Sequence, residues 1–296
     1  GCHRGGLMAD QDLEAKKTSF FSKNPVVCPV CETSFYREDL LSGGGRLIAG
    51  ELTEELHRTY EPSKKYGELF PLVYAVMVCP SCLYAAYPQD FLEIKEESIE
   101  ALREQTDRRV QSVSLVFKDL DFTNYRGLKE GAASYYLAMM CYDSLDRHYS
   151  PTLKRALSAL RAAWLLESLH RKAFSENYDY LSRLFYRKAR FFYMQAIEMA
   201  QNGQEPLEAN VNFGPDLDKN YGYDGLLYVA GLLEYKYGPR KQTEKRIKSL
   251  ENAKRIVSKL FGTGKASKSK PSAILDKARE LYDEMNKEIK QLQGQG

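Results

Sequence analysis

The sequence predicts a mainly α-helical chain. A small β-containing zinc-knuckle domain is followed by an α-helical hairpin-repeat, tetratricopeptide-like solenoid. Three observations carry this. Four of the six cysteines form two near-duplicate CPxC pairs, Cys28-Pro29-Val30-Cys31 and Cys79-Pro80-Ser81-Cys82. The residues around them read as short strands and turns. After Pro88 the apolar residues change from alternation to a period of about 3.6 and keep it almost to the C-terminus.

A length of 296 residues suggests about two domains. The expected organisation is a flexible polar segment at 1–24, a zinc-knuckle domain at 25–88, a helical-repeat domain at 89–262, a Ser/Lys linker at 263–270 and a capping helix at 271–296. Met8 follows Gly-Cys-His-Arg-Gly-Gly-Leu and is a candidate natural start; no apolar segment beside it resembles a secretory signal. Cys2 is read as exposed and incidental.

Within the first domain, Val26-Val27 runs into the first knuckle. Thr33 to Leu41 is predicted as a strand, followed by the turn Gly43-Gly44-Gly45. Leu72 to Val78 is rich in β-branched and aromatic residues and is predicted as a buried strand leading into the second knuckle. Between them, Glu51 to Tyr60 is expected to be one short helix or irregular structure.

Asp90 followed by Glu93 reads as a capping box opening a helix to about Leu115. A second helix is expected from Leu128 to Leu145. Ser150-Pro151 reads as an N-cap with proline at the first helical position. Leu153, Leu157, Leu160 and Trp164 then share one face. A fourth helix, Glu176 to Asn202, carries the stripe Leu181, Phe185, Ala189, Phe192, Ala196 and Met199 and stops at Gly203. A fifth covers Gly225 to Tyr237 and a sixth Lys241 to Phe261. Pro271 opens the last, which reaches about Leu292. Short turns between amphipathic helices imply stacked hairpins. The small residues Ala230 and Gly231 ahead of Tyr235 make Leu226 to Ile256 the most tetratricopeptide-like stretch, though a degenerate one.

Composition excludes several classes. With 43% apolar and 28% charged residues, the chain is not wholly disordered. No apolar run approaches the ~18 residues of a spanning helix, so no membrane span is expected. Six cysteines are too few for a disulfide-dense scaffold. The net charge of +3 hides an asymmetry: residues 1–235 hold 27 Lys and Arg against 33 Asp and Glu, and residues 236–296 hold 16 against 7. A basic tail on an acidic body can bind nucleic acid, an anionic membrane or the body itself, and is most often a solvated helical face.

The cysteines carry the strongest chemical signal. A CPxC turn places two thiolates on one side of a tight knuckle, and two facing knuckles supply the four sulfurs of a tetrahedral Zn²⁺ site. Cys28, Cys31, Cys79 and Cys82 are therefore the expected metal ligands. A closed sulfur set has no open position for substrate, so the ion is read as structural. A dithiol redox site is weaker, because the βαβ context of such motifs is absent. An iron–sulfur cluster and disulfides remain as alternatives. His57 lies between the pairs and reads as a surface residue. Cys141, beside Ala138, Met139 and Met140, reads as a small buried hydrophobe.

The knuckles and their neighbours resemble an uncharacterised bacterial family that pairs a split CPxC…CPxC domain with a tetratricopeptide-like helical tail. The matching residues are Cys28-Pro29-Val30-Cys31, Arg46, Tyr60, Pro71, Tyr74, Val78-Cys79-Pro80-Ser81-Cys82, Tyr84-Ala85 and Phe91. The resemblance departs at Glu32 and Leu83, where the family often has glycine because the knuckle backbone tends toward positive φ. It implies a bacterial, cytoplasmic, zinc-binding protein and no particular activity.

Other motifs fail. Asp216-Leu217-Asp218-Lys219-Asn220 starts like a calcium loop, but its glycine comes one place late and position twelve is Leu227. Gly262-Thr263-Gly264-Lys265 lacks the rest of a phosphate-binding loop. No catalytic constellation assembles from spacing, so no enzymatic activity is expected. The long loop Gly203 to Tyr223, with Phe213, Tyr221 and Tyr223, suggests an interaction segment. Tyr135, Tyr136, Tyr178, Tyr180, Tyr186, Tyr228 and Tyr235 suggest either a peptide-binding face or inter-helix packing. The stripe Ala278, Tyr282, Met285, Ile289 and Leu292 is read as a cap on the stack, with homo-oligomer formation as its rival. The expected function is a protein-binding or scaffold module with an unidentified protein partner. A nucleic-acid-binding zinc protein is the first alternative. It is disfavoured because acids outnumber the five basic residues of 25–88. A thiol-redox or metal-dependent enzyme is the second.

Overall fold

The computed structural model describes residues 17–207, 212–262 and 272–294. The linker expected at 263–270 lies outside them, as do residues 1–16. The chain divides into two units: Gly1–Thr53 with His57–Ser144, and Glu54–Leu56 with Leu145–Gly296. The division falls after residue 144, not at 88, so the helices up to that point belong with the cysteine-bearing unit.

Among the described residues the first unit contains eight short strands: β1 (Ser19–Phe21), β2 (Val26–Val27), β3 (Ser34–Phe35), β4 (Glu38–Leu40), β5 (Ile48–Leu52), β6 (Arg58–Glu61), β7 (Met77–Val78) and β8 (Ala85–Ala86). They form four antiparallel pairs, β1–β4, β2–β3, β5–β6 and β7–β8. Its helices are α1 (Pro88–Phe91), α2 (Glu96–Glu104), α3 (Thr106–Val116) and α4 (Leu128–Tyr142), the last packed against β8 and α3.

Several expectations are corrected here. Part of the lead-in expected to be flexible is ordered: Ser19–Phe21 is a strand, and the Ser19 hydroxyl donates to the buried Glu38 carboxylate at 2.7 Å. The strand expected over 33–41 is two strands, because β3 closes a knuckle with β2 while β4 pairs with β1. Glu51 to Tyr60 is not helical. It falls on a hairpin whose turn is fastened by Thr53 Oγ1 accepting the His57 N–H at 3.2 Å.

The strand expected over Leu72–Val78 survives only at Met77–Val78. Pro71 instead opens a single 3₁₀ turn, Pro71–Tyr74. Carbonyls that a ladder would have used are taken by side chains. Arg126 donates to the carbonyls of Val73 and Val76, and the Tyr135 hydroxyl donates to that of Leu72. The single helix expected from Asp90 to Leu115 is three helices, and Asp90 opens none of them. Its carboxylate is buried and accepts the Tyr142 hydroxyl at 2.7 Å.

The second unit contains α5 (Pro151–Lys172), α6 (Tyr178–Gln201), α7 (Gly222–Tyr237), α8 (Thr243–Ser258) and α9 (Ser272–Gly294). Sequence neighbours pack on one another: α5 on α6, α6 on α7, α7 on α8, and α9 on both α8 and α7. This is the expected stack of helices. Leu153, Leu157, Leu160 and Trp164 are buried along α5 as their spacing requires. The stripe on α6 is wider than expected, adding Ser182, Tyr186, Tyr193 and Ile197. Gly231 allows α7 to meet α8, since a Cβ there would collide with Val257.

Ser150 does not cap α5. It is left-handed (φ +46°), and its hydroxyl donates to the Pro206 carbonyl. Glu205 caps α5 instead, accepting the Thr152 N–H at 2.6 Å and the Thr152 hydroxyl at 2.7 Å. The long loop after α6 is therefore partly used within the unit, and Pro215 contributes too by accepting from Arg161 at 2.8 Å. Tyr135, Tyr186 and Tyr228 are fully buried packing residues, while Tyr180 is exposed. Met285 and Ile289 are buried on α9, as a cap requires.

Candidate metal centre

The two knuckles are the same structure built twice. In the first, β2 and β3 pair Val26 with Phe35 and Val27 with Ser34. In the second, β7 and β8 pair Met77 with Ala86 and Val78 with Ala85. At the turns, Cys28 N–H donates to Thr33 O and Glu32 N–H to Cys28 O, both at 2.9 Å. The second knuckle repeats this with Cys79 N–H to Tyr84 O and Leu83 N–H to Cys79 O, again at 2.9 Å. Glu32 and Leu83 have φ of +65° and +58°, the left-handed backbone anticipated at the two departures from glycine.

These turns bring the four predicted ligands together. The Sγ atoms of Cys28, Cys31, Cys79 and Cys82 all lie within 4.8 Å of one another. Cys28 to Cys82 is 3.7 Å and Cys31 to Cys79 is 3.6 Å. Both are far longer than a disulfide, at about 2.0 Å, which removes that alternative. A tetrahedron with metal–sulfur bonds of about 2.3 Å has edges of about 3.8 Å, so the spacing suits a single ion. Cys28, Cys79 and Cys82 are buried and Cys31 is half-buried. His57 is half-buried and does not join the cluster.

The sulfurs are not electrostatically equivalent. Hydrogen bonds from Cys28 and then Cys79 pull the Cys82 thiol down to about 2. The same contacts, with burial, push Cys28 far up. At Cys79 the Cys28 contact lowers the pKa, but the Cys82 contact and burial prevail and raise it to about 12. Left to themselves, Cys28 and Cys79 hold their protons and share them with Cys82. A divalent cation is the ligand that lets all four ionise.

Two arginines that sequence reasoning missed brace the knuckles. Arg103 Nε on α2 donates to the Val30 carbonyl at 3.0 Å. Arg109 on α3 is 1% exposed and donates to the Cys82 carbonyl through Nε (3.1 Å) and Nη2 (2.9 Å), and to Leu102 O through Nη1 at 3.0 Å. The available signal was its place in the stripe Leu102, Arg109, Val113, an arginine among buried apolar positions of one face. Cys141 is buried as expected, and its sulfur also accepts the Ala85 N–H at 3.4 Å. Burial raises its pKa to about 11, which keeps it a thiol.

Fold and site together define a class: a pair of CPxC hairpins able to hold one metal ion, in a chain that continues as a stack of helices. The chain belongs to a family described as uncharacterized proteins conserved in bacteria (DUF2225), whose profile matches residues 21–285. It is similar to an uncharacterized protein of Borreliella burgdorferi, with 46% identity over 277 residues, covering 94% of this chain and 99% of that one. No solved structure matches it. Among the described residues, no helix is long and apolar enough to cross a membrane.

Proposed function

We propose that this is a non-enzymatic, cytoplasmic protein in which a structural Zn²⁺ ion, held by Cys28, Cys31, Cys79 and Cys82, fixes the first unit while the helical second unit binds a partner protein. The observation that supports zinc is the closed set of four sulfurs at tetrahedral spacing. Soft thiolate ligands in that geometry favour Zn²⁺ or iron–sulfur chemistry, and an ion enclosed by four cysteines has no place for a reacting water. The two-residue strands of the knuckles bury too little surface to hold the two hairpins together alone, so metal binding supplies folding energy there.

The protein-binding reading is supported by how the second unit holds Glu54–Leu56. Glu55 accepts from Trp164 Nε1 at 2.8 Å and from Lys236 Nζ at 2.9 Å. Glu54 accepts from Lys236 at 2.8 Å, and its carbonyl accepts the Tyr228 hydroxyl at 2.6 Å. Leu56 is fully buried. Indole, phenol and ammonium donors converging on a short acidic segment are chemistry that a helical stack can turn to a partner's peptide.

Metal analysis of the full chain, purified without added metal, tests the first part, with one zinc per chain expected. Iron with visible charge-transfer absorption would overturn it. Affinity purification from the native cell, followed by direct binding of each recovered protein to the pure chain, tests the second. Recovery of no direct binder would sink it.

A further inference from the structure

Helix α8 carries a row of cations that its packing leaves unused. Lys245, Lys248, Asn252, Arg255 and Lys259 follow at steps of three, four, three and four, which puts them along one line of the helix and its C-cap. All five are exposed. The packed side of α8 is elsewhere, at Arg246, Ser249, Leu250, Ala253, Ile256 and Val257. Contacts fix that orientation: Ser249 donates to Glu234 of α7, Arg246 pairs with Glu288 of α9, and Lys254 lies over the Tyr282 ring of α9. Among the described residues no carboxylate pairs with the three lysines of the row, and Arg255 reaches only the Asn252 amide, at 3.3 Å.

We propose that this row is a docking line for nucleic-acid phosphates, binding the backbone without reading bases. It spans about 21 Å at 1.5 Å per residue and is one side chain wide. Glu244 and Glu251 border it, so a narrow strand of phosphates fits the strip, whereas a broad anionic surface also meets the glutamates. A membrane-surface helix sets bulky apolar residues beside its cations, and the exposed positions flanking this row are Gln242, Thr243, Glu244, Glu251 and Ser258. An acidic protein partner would need an aromatic or apolar centre, which the row lacks. Backbone-only recognition needs neither. The acid-rich composition of the knuckle region, which disfavoured nucleic acid, does not apply to this helix.

The test is fluorescence anisotropy of the full, metal-loaded chain with labelled oligothymidine and with a mixed-sequence duplex. Affinity for both should fall about a hundredfold between roughly 50 and 200 mM salt, as expected for four or so phosphate contacts. The triple variant Lys245→Glu, Lys248→Glu, Arg255→Glu should lose at least about tenfold, in line with those lost contacts. Arg183→Glu, Arg187→Glu, Lys188→Glu on α6 changes charge equally and should bind as the unaltered chain does. Helical content by circular dichroism checks that both variants fold, and glutamine replacements serve if the row variant does not. Salt-independent or absent binding overturns the proposal. So does equal loss in the α6 variant, or capture by phosphatidylglycerol vesicles with no oligonucleotide binding.

Discussion

Glu32 and Leu83 occupy the same point of two matching hairpins, one residue past each knuckle's second cysteine, and both hold left-handed backbone. A residue with a Cβ in that conformation costs about 1–2 kcal/mol. Glu32 is exposed, so little packing offsets the strain. Glu32→Gly should raise stability by about 0.5–1 kcal/mol after the added freedom of the unfolded chain is counted, and Glu32→Val should lower it. Urea unfolding of the metal-loaded chain measures both; equal midpoints for Glu and Gly would refute the strain.

Removing one sulfur breaks the centre. Cys79→Ser should lose the bound metal and the cooperative unfolding of the first unit, since structural zinc supplies on the order of 10 kcal/mol in small metal-dependent folds. Metal content with near-ultraviolet circular dichroism reads this, and an unchanged spectrum in a metal-free variant would show the ion to be dispensable.

Arg109→Met should destabilise the first unit by about 2–4 kcal/mol, because the carbonyls of Cys82 and Leu102 lose their buried donors. Arg109→Lys should recover only part, since one ammonium cannot reproduce the fork. Full rescue by lysine would show that charge alone matters.

In the second unit, Glu234 is 5% exposed and is held by Arg190 (2.6 and 3.1 Å) and by the Ser249 hydroxyl. Arg190→Met should cost about 2–3 kcal/mol by stranding that carboxylate, less than for a fully buried pair because Arg190 is partly exposed. Adding Glu234→Leu should restore much of the loss, and a double variant worse than the sum of the singles would contradict this.

Glu38 gives a pH signature. Burial raises its pKa above the carboxylate norm, against the Ser19 hydroxyl and the Arg126 N–H. The folded chain therefore holds that proton more tightly than the unfolded one. The stabilisation is complete below the ordinary carboxylate pKa and is lost as pH rises through the raised value. Glu38→Gln should flatten that part of the stability profile, measured by thermal melts across the acid range.

The four-cysteine cluster was legible because its members come as two local motifs, each complete within one turn. The helices after Pro151 were legible because their apolar spacing repeats over many turns, as at Leu153, Leu157, Leu160 and Trp164. The failures lie where distant groups decide. Leu72–Val78 has strand-like residues, but Arg126 and Tyr135 satisfy its carbonyls. Asp90 looks like a helix cap, but Tyr142 claims it, and Glu205 displaces Ser150 as the cap of α5. Arg109 shares a buried stripe with Leu102 and Val113, but nothing near it in sequence shows that it serves the Cys82 carbonyl. Each error set a local rule against a partner more than 25 residues away.

Because each knuckle is closed by its own hydrogen bonds, a metal ion joining them would act as a clasp at the base of the chain between them. Lengthening such a loop is entropically mild, about 0.6 kcal/mol for each doubling. The exposed turn at residues 42–45 can therefore gain or shed segments without disturbing the sulfurs, whereas Glu38, Leu56 and Leu72 of the same interval are buried. Across relatives, length changes should gather in that turn, while the two ten-residue hairpins keep their length.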